Sequence, residues 1–216
     1  ASRGLGDVYK RQQYYGVICK FAAFKAKRMT HLYLARHGET EENVAHILQG
    51  LMPGHLTARG REQAAELRDK LVAAHTAFDV MLTSDLQRAL DTANIINGGL
   101  HLPLSPCPLL RERDWGSFTG TPITIARSSQ MPDDAESVQA MFERAKRFIT
   151  YIYKVYHNQS VLAIGHGLFN RTIQAAFAHC EIRDIPRMQN AEVRHIAIDH
   201  LPAQWNSSTQ DAISAD

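Results

Sequence analysis

Three short apolar runs, His31 to Arg36, Asp79 to Thr83 and Ser160 to Ile164, are each followed by a segment whose apolar side chains recur every three or four residues. This alternation constrains the fold more than any other feature of the chain. Strands that alternate with helices build a layered α/β structure around a largely parallel sheet, because each helix carries the chain back across the sheet. Residues 58 to 74 place Ala64, Ala65, Leu67, Leu71 and Val72 on one helical stripe. Ser84-Asp85-Leu86-Gln87 is a capping-box pattern that opens a second helix, predicted to reach about Ile96 and to end at Gly98 and Gly99. After a loop rich in proline (Pro103, Pro106, Pro108), residues 134 to 157 read as a long amphipathic helix with Val138, Met141, Phe142, Ala145, Phe148, Ile149 and Ile152 inward. A helix over Leu168 to Ala178 and a final strand over Ala191 to Ile198, with apolar Val193 and Ile196, complete the pattern.

Sheets of this kind bind ligands outside the carboxyl ends of their strands, where loops and helix amino termini converge. The first strand delivers Arg36 and His37, the second leads into Arg88 in the opening turn of its helix, and the third delivers His166. Two guanidinium groups and two imidazoles describe a site for a doubly charged anion.

Composition narrows the class of protein. The 216 residues are 44% hydrophobic and 21% charged, as in a globular domain, and no apolar run approaches the roughly 20 residues that span a bilayer. Cys19, Cys107 and Cys180 are widely separated and odd in number, so they read as reduced thiols of a cytoplasmic protein. Of the 24 Lys and Arg and 22 Asp and Glu, seven and one fall in residues 1 to 28, which leaves 17 and 21, a net charge of −4, for the remainder. A basic nucleic-acid-binding surface is not expected on such a body.

Met29 opens MTHLYLARHGET and reads as the natural start. Before it, Asp7 to Gln12 (DVYKRQ) resembles a translated sequencing adapter, and Lys20 and Lys25 interrupt the apolar stretch that a secretory signal needs. Residues 1 to 28 are therefore expected to be a non-native or disordered extension, residues 29 to 216 a single domain, and the tail beyond about 202 disordered.

Arg36-His37-Gly38-Glu39-Thr40 is similar to the RHG signature of the histidine phosphatase, or phosphoglycerate mutase-like, superfamily. The resemblance extends over the body from Met29 onward. It takes in Asn43, Leu56-Thr57-Ala58-Arg59-Gly60-Arg61-Glu62-Gln63-Ala64, and the run from Thr83-Ser84-Asp85-Leu86-Gln87-Arg88 to Ala89-Leu90-Asp91-Thr92-Ala93. Leu110-Arg111-Glu112 before Trp115-Gly116, and Gly165-His166-Gly167, complete it. RHG alone is weak evidence, but all of these in order are not. The fold implied is a three-layer sandwich, a largely parallel central sheet with helices on both faces.

The resemblance implies hydrolysis of phosphate monoesters through a phosphohistidine. His37 is then the nucleophile, attacking phosphorus through a neutral ring nitrogen. Arg36 and Arg88 bind the nonbridging oxygens, and His166, as imidazolium, adds a donor. Glu112 protonates the leaving oxygen and then activates water, for which its acidity must weaken through burial and the nearby dianion. Asp114 is a competing carboxylate. Asn43, Gln49 and Gly167 complete the substrate-binding set. No metal or other cofactor is expected, since cationic side chains supply the charge stabilisation. The expected partner is a small phosphorylated substrate, with neither nucleic acid nor membrane. His31, His46, His55, His75, His101, His157, His179, His195 and His200 read as ordinary surface or core residues, and Cys107 and Cys180 lack a nucleophile's surroundings.

The chain also departs from many relatives. Pro53-Gly54-His55 stands where they carry Asp-x-Pro, and Glu42 occupies a place often aromatic, which predicts a more acidic pocket wall. His166 follows Glu112 by 54 positions, leaving little room for a lid, and Thr119 to Asp134 offers only Arg127 as a cation. An open site admits water and favours hydrolysis, so phosphatase ranks before cofactor-dependent phosphoglycerate mutase, and a non-catalytic phosphate binder ranks third. Specificity is expected to lie in the loops around Gln49 to His55, Phe118 to Met131 and Phe169 to Arg171.

Overall fold

The computed structural model describes residues 29–202 and Trp205. A central sheet is formed by β1 (Thr30–Arg36), β2 (Val80–Thr83), β3 (Leu104–Pro106), β4 (Ser160–Gly165) and β5 (Val193–Ile198), in the order β3-β2-β4-β1-β5. The pairs β1–β4, β2–β4 and β2–β3 are parallel, while β5 runs antiparallel to β1 at one edge. The helices are α1 (Glu41–Val44), α2 (Ala58–Ala73), α3 (Gln87–Leu100), α4 (Ile123–Ser128), α5 (Val138–Val155) and α6 (Gly167–Ala178).

Alternate residues of each strand feed two cores, because successive side chains point to opposite faces. Leu32, Leu34, Val80, Leu82, Val161 and Ala163 meet Phe148, Ile149 and Ile152 of α5 and Phe169 and Ile173 of α6. On the other face Ala35, Met81, Leu162 and Ile164 meet Leu67 of α2 and Ala89, Ala93 and Ile96 of α3. Helices thus cover both faces of a largely parallel sheet, the three-layer sandwich expected. In β5 the periodicity separates what the sequence grouped: Ile196 joins the first core and Val193 packs against the second.

Several local expectations are corrected. Leu104–Pro106, read as loop, pairs with β2 as an edge strand, a position where proline's missing N–H costs no ladder bond. The α3 start is not a capping box: Leu86 is the N-cap and has no side-chain cap bond, while the Arg88 N–H goes to the Pro53 carbonyl (3.0 Å). Helix α3 also continues through Gly98 and Gly99 and stops at His101, which takes the left-handed conformation (φ 52°). Gly99 serves packing instead, since a Cβ there would lie 2.8 Å from the Arg68 stem on α2. Helix α5 starts four residues later than expected, where the Ser137 hydroxyl accepts the Ala140 N–H (3.1 Å). Val72 and Val138, placed inward by periodicity, are exposed.

The proposed extension, residues 1 to 28, and its Cys19 lie outside the described residues, as does the tail from 203 apart from Trp205. Trp205 is buried with the α5/α6 core and faces the His179 ring. Among the described residues no helix is long and apolar enough to cross a membrane.

Candidate active site

The order β2-β4-β1 sets three strand ends side by side. Arg36 is in register with Gly165, the His37 N–H donates to the Gly165 carbonyl (3.0 Å), and the Ser84 N–H donates to that of Ile164 (2.9 Å). His37, His166 and the first turn of α3 carrying Arg88 therefore meet at one sheet edge. A cavity of about 820 Å³ opens there, lined by Arg36, His37, Asn43, Gln49, Arg88, Glu112 and Gly167 among others, a size suited to a small molecule.

His37 is buried and tightly tethered. Its Nδ1 lies 2.7 Å from the Gly38 carbonyl, which can only accept, so Nδ1 carries the proton and Nε2 keeps its lone pair. The Thr92 hydroxyl accepts the Gly38 N–H (3.1 Å) and donates to the Arg88 carbonyl (2.7 Å). Asn190 Nδ2 donates to the His37 carbonyl (3.1 Å). Burial, then the charges of Arg88 and Arg36, push the His37 imidazolium well below the ordinary histidine range. The ring is neutral near pH 7, as a nitrogen nucleophile must be.

His166 is fully buried and does not itself line the cavity. Its ring packs edge-on against His37, with centroids 5.2 Å apart and planes at 60°. Burial, then Arg88, His37 and Arg36, hold it well below its usual range too. The expected imidazolium is thus not favoured in the unliganded site: burial first, and then the two guanidinium groups, hold this ring neutral.

Arg36 gives Nη1 to the Met188 carbonyl (2.7 Å). Arg88 is clasped by the loop after α1: Nη1 donates to the Met52 and Pro53 carbonyls and Nη2 to that of Gly50 (2.9 Å). Gly54 makes the clasp possible, for at φ +68° it brings backbone to where a Cβ would sit 2.9 Å from Arg88 Cδ. Burial lowers the Arg88 pKa to about 10, so it stays charged at neutral pH. Five of the seven buried side-chain atoms without a hydrogen-bond partner among the described residues belong to this site: Arg36 Nε, Gln49 Oε1, Arg88 Nε, His166 Nδ1 and His166 Nε2. Buried polar atoms left unpaired at one point mark a place built for a polar ligand.

Glu112 sits at the amino terminus of α6. Its carboxylate accepts the N–H groups of Arg113 (2.9 Å), Phe169 (3.0 Å) and Leu168 (3.1 Å). Arg144 fixes the segment that carries it, donating to the Leu109 and Arg111 carbonyls (3.0 and 2.6 Å) and pairing with Glu136 (2.7 Å) over the Phe169 ring. Asp114 instead caps the Gly116 N–H (2.8 Å) and does not line the cavity. Asn43 Oδ1 accepts from Thr40 N and Asn190 Nδ2 (both 3.3 Å), which leaves its own amide nitrogen free to donate. Gly167 gives Arg36 room, since a Cβ there would lie 3.1 Å from Arg36 Nε.

Two further expectations change. Glu42 does not line the cavity; its carboxylate turns to the His55 N–H (3.3 Å) and imidazole (3.5 Å), although its charge still reaches Arg88. The segment after Trp115 also forms a short cover: the Leu48 N–H donates to the Thr121 carbonyl (2.9 Å) and Gly120 N–H returns to Leu48 (2.8 Å), and Ile123, Ala126, Arg127, Ser129 and Met131 line the cavity. Sequence reasoning missed Arg113 and Arg187, which also reach it, and named Arg171 only as the end of a specificity loop, where the structure has helix α6. Arg171 follows Gly167 by four residues and so shares its helix face, a signal that was readable; Arg187 lies in an irregular segment with none. None of the nine histidines read as ordinary lines the cavity, and Cys107 and Cys180 are free thiols, the first deep in the core.

The model of the histidine phosphatase superfamily (branch 1) matches residues 32–209, and the chain belongs to that superfamily. Its members include phosphatases and phosphoglycerate mutase-like proteins that share a phosphohistidine mechanism, and the chain is a phosphatase or mutase of this kind. The "Uncharacterized phosphatase PhoE" of Bacillus subtilis (strain 168) is 34% identical over 143 residues, 64% of this chain and 72% of PhoE. The "Probable phosphoglycerate mutase GpmB" of Proteus mirabilis (strain HI4320) is 40% identical over 192 residues, 81% of this chain and 87% of GpmB. Among solved structures, YhfR of Bacillus stearothermophilus superposes with a TM-score of 0.71 at 29% identity, covering 77% of this chain and 90% of YhfR.

Proposed function

We propose that this chain hydrolyses phosphate monoesters in two steps without a metal, with His37 as nucleophile. The observation that carries this reading is the His37 imidazole, held by Gly38 as the tautomer with a free Nε2, beside two guanidinium groups whose Nε–H donors are unpaired. In the first step His37 Nε2 bonds to phosphorus as the ester oxygen leaves, and Arg36, Arg88 and the Asn43 amide balance charge on the nonbridging oxygens. Glu112 gives that oxygen its proton. A protonated Oε2 can still accept the Leu168 N–H through its other lone pair, so the tether and the proton transfer are compatible. In the second step Glu112 takes a proton from water, whose oxygen bonds to phosphorus as the P–N bond breaks, releasing phosphate and restoring His37. His166, neutral in the unliganded site, gains a reason to protonate once a dianion lies beside it.

A mutase is the second reading, favoured by the similarity to GpmB and by the extra arginines of the cavity. The one sheet shared by both cores supports a single catalytic domain, and the free Cys107 and Cys180 support a cytoplasmic setting. The deciding experiment measures phosphate release from a panel of phosphorylated metabolites with chelator present, beside 3- to 2-phosphoglycerate interconversion. Release that survives chelation, together with acid-labile phosphate trapped on the wild type and not on His37→Ala, is expected. Rapid interconversion with negligible release would overturn the hydrolase reading.

A further inference from the structure

Asn190 lies between α6 and β5, half-buried, and is not one of the residues that line the cavity, yet its side chain ties together two that are. Its Nδ2 donates one proton to the His37 carbonyl (3.1 Å) and the other to Asn43 Oδ1 (3.3 Å). Both partners only accept, so the amide nitrogen must face them and the amide oxygen cannot take its place. The arrangement also orients Asn43. Its Oδ1 receives the Thr40 N–H (3.3 Å) as well, and a flipped Asn43 amide would set its own NH2 group against two donors. Asn43 Nδ2 is thereby left without a hydrogen-bond partner among the described residues, on a side chain that lines the cavity.

The neighbouring backbone grips the same loop. Ala191 takes the left-handed conformation (φ 55°), which residues with a Cβ rarely adopt, and from it the Ala191 N–H reaches the carbonyls of Arg36 (3.1 Å) and His37 (3.3 Å). At its other end the peptide joining His37 to Gly38 gives its N–H to the Thr92 hydroxyl (3.1 Å). Oxygen and N–H of this peptide are thus both held, which fixes the path to the Gly38 carbonyl that receives the His37 Nδ1 proton. A backbone outlier of this kind persists only where surrounding contacts over-determine it. The His37 loop is therefore the rigid party, and the Asn190 amide carries its position across to Asn43 on α1.

We infer that Asn190 is a positioning residue: its amide couples the His37 loop to Asn43 and fixes which face Asn43 turns to the nonbridging oxygens of the transferred phosphoryl group. The role of Asn43 as a donor to those oxygens rests on the proposed function.

The test measures kcat/KM for 4-nitrophenyl phosphate, and the melting temperature, in a set of variants. Asn190→Asp keeps the shape but sets an oxygen against two acceptors, so the Asn43 amide turns its nitrogen to the new carboxylate and shows the phosphoryl group an oxygen. A loss on the order of 10²-fold is expected, as when one donor to a charged transition-state oxygen is removed. Asn190→Ala should lose about tenfold. In the Asn43→Ala background the same change should cost about twofold or less, because the two side chains act as one unit. A residue that only supported the fold would show the same proportional loss in both backgrounds. That result, or an undiminished kcat/KM in Asn190→Asp, overturns the positioning role and leaves the phosphatase reading standing. If Asn190→Asp does not fold, the alanine cycle alone decides. If the wild type turns over no ester, the phosphatase reading fails instead, and calorimetric titration with orthovanadate reads the same cycle. Weaker binding in Asn190→Ala that disappears in the Asn43→Ala background upholds the coupling; equal weakening in both, or none, sinks it.

Discussion

Gly38 and Gly60 meet backbone to backbone: a methyl on Gly38 would collide with the Gly60 carbonyl, and one on Gly60 with the carbonyl of Glu39. This contact seats the His37 loop on the first turn of α2. Gln63 Oε1 accepts the Glu39 N–H (2.9 Å), and the Thr57 hydroxyl, which caps α2 through Gly60 N (2.9 Å), also reaches the Glu39 carboxylate (2.8 Å). Gly60→Ala must push the loop away, since both obstacles are backbone. The expected cost is about 1–3 kcal/mol, read as a drop of several degrees in melting temperature. Turnover should fall further, on the order of 10²-fold, because His37, the proposed nucleophile, is misplaced. An alanine variant with wild-type melting and turnover would show that the contact does not hold the loop.

Acid should destabilise the unliganded protein through its two buried imidazoles. Both folded-state pKa values lie well below the ordinary 6.5, chiefly from burial and next from Arg88. Between the folded value and 6.5 the unfolded chain binds a proton at each ring and the native state does not, so stability is fully present above pH 6.5 and is lost as pH falls beneath it. Each ring contributes about 1.4 kcal/mol per pH unit in that window. Urea midpoints followed from pH 7 to 5 should therefore decline, and less steeply in His166→Leu. A flat profile would mean that the rings protonate in the folded protein.

Glu112→Gln should separate acid catalysis from simple binding. The amide keeps the shape but has one acceptor oxygen, so its nitrogen faces an N–H of Leu168, Phe169 or Arg113. For esters with poor leaving groups kcat should drop by about 10²–10⁴-fold. For 4-nitrophenyl phosphate, whose leaving group departs without a proton, the rate of His37 phosphorylation in a rapid-quench experiment should change far less. Equal losses of that rate for both kinds of ester would assign Glu112 to positioning and not to proton transfer.

What could be read before any fold was local. The apolar spacing of β1, β2, β4, α2 and α5 reports which face of each element avoids water, and strands capped by His37, Arg88 and His166 point to one sheet edge. Misreadings arose where a neighbour overruled a local signal. Ser84-Asp85-Leu86-Gln87 looks like a cap, yet the carbonyl of Pro53 takes the Arg88 N–H. Gly98 and Gly99 look like a terminus, yet Gly99 admits the Arg68 stem. Pro103 to Pro108 looks like a loop, yet the free edge of β2 recruits it.

By itself the sequence determined the superfamily and the layered architecture, and it named the residues of the proposed phosphate site, because these depend on periodicity and on motifs short enough to be contiguous. Only the tertiary structure decided that His166 is a neutral ring packed behind His37, that Glu42 turns away to His55, and that Arg171 and Arg187 join Arg36. Charge state and convergence follow from which distant groups share a desolvated space, and that is set by strand order and loop path, which no local pattern encodes.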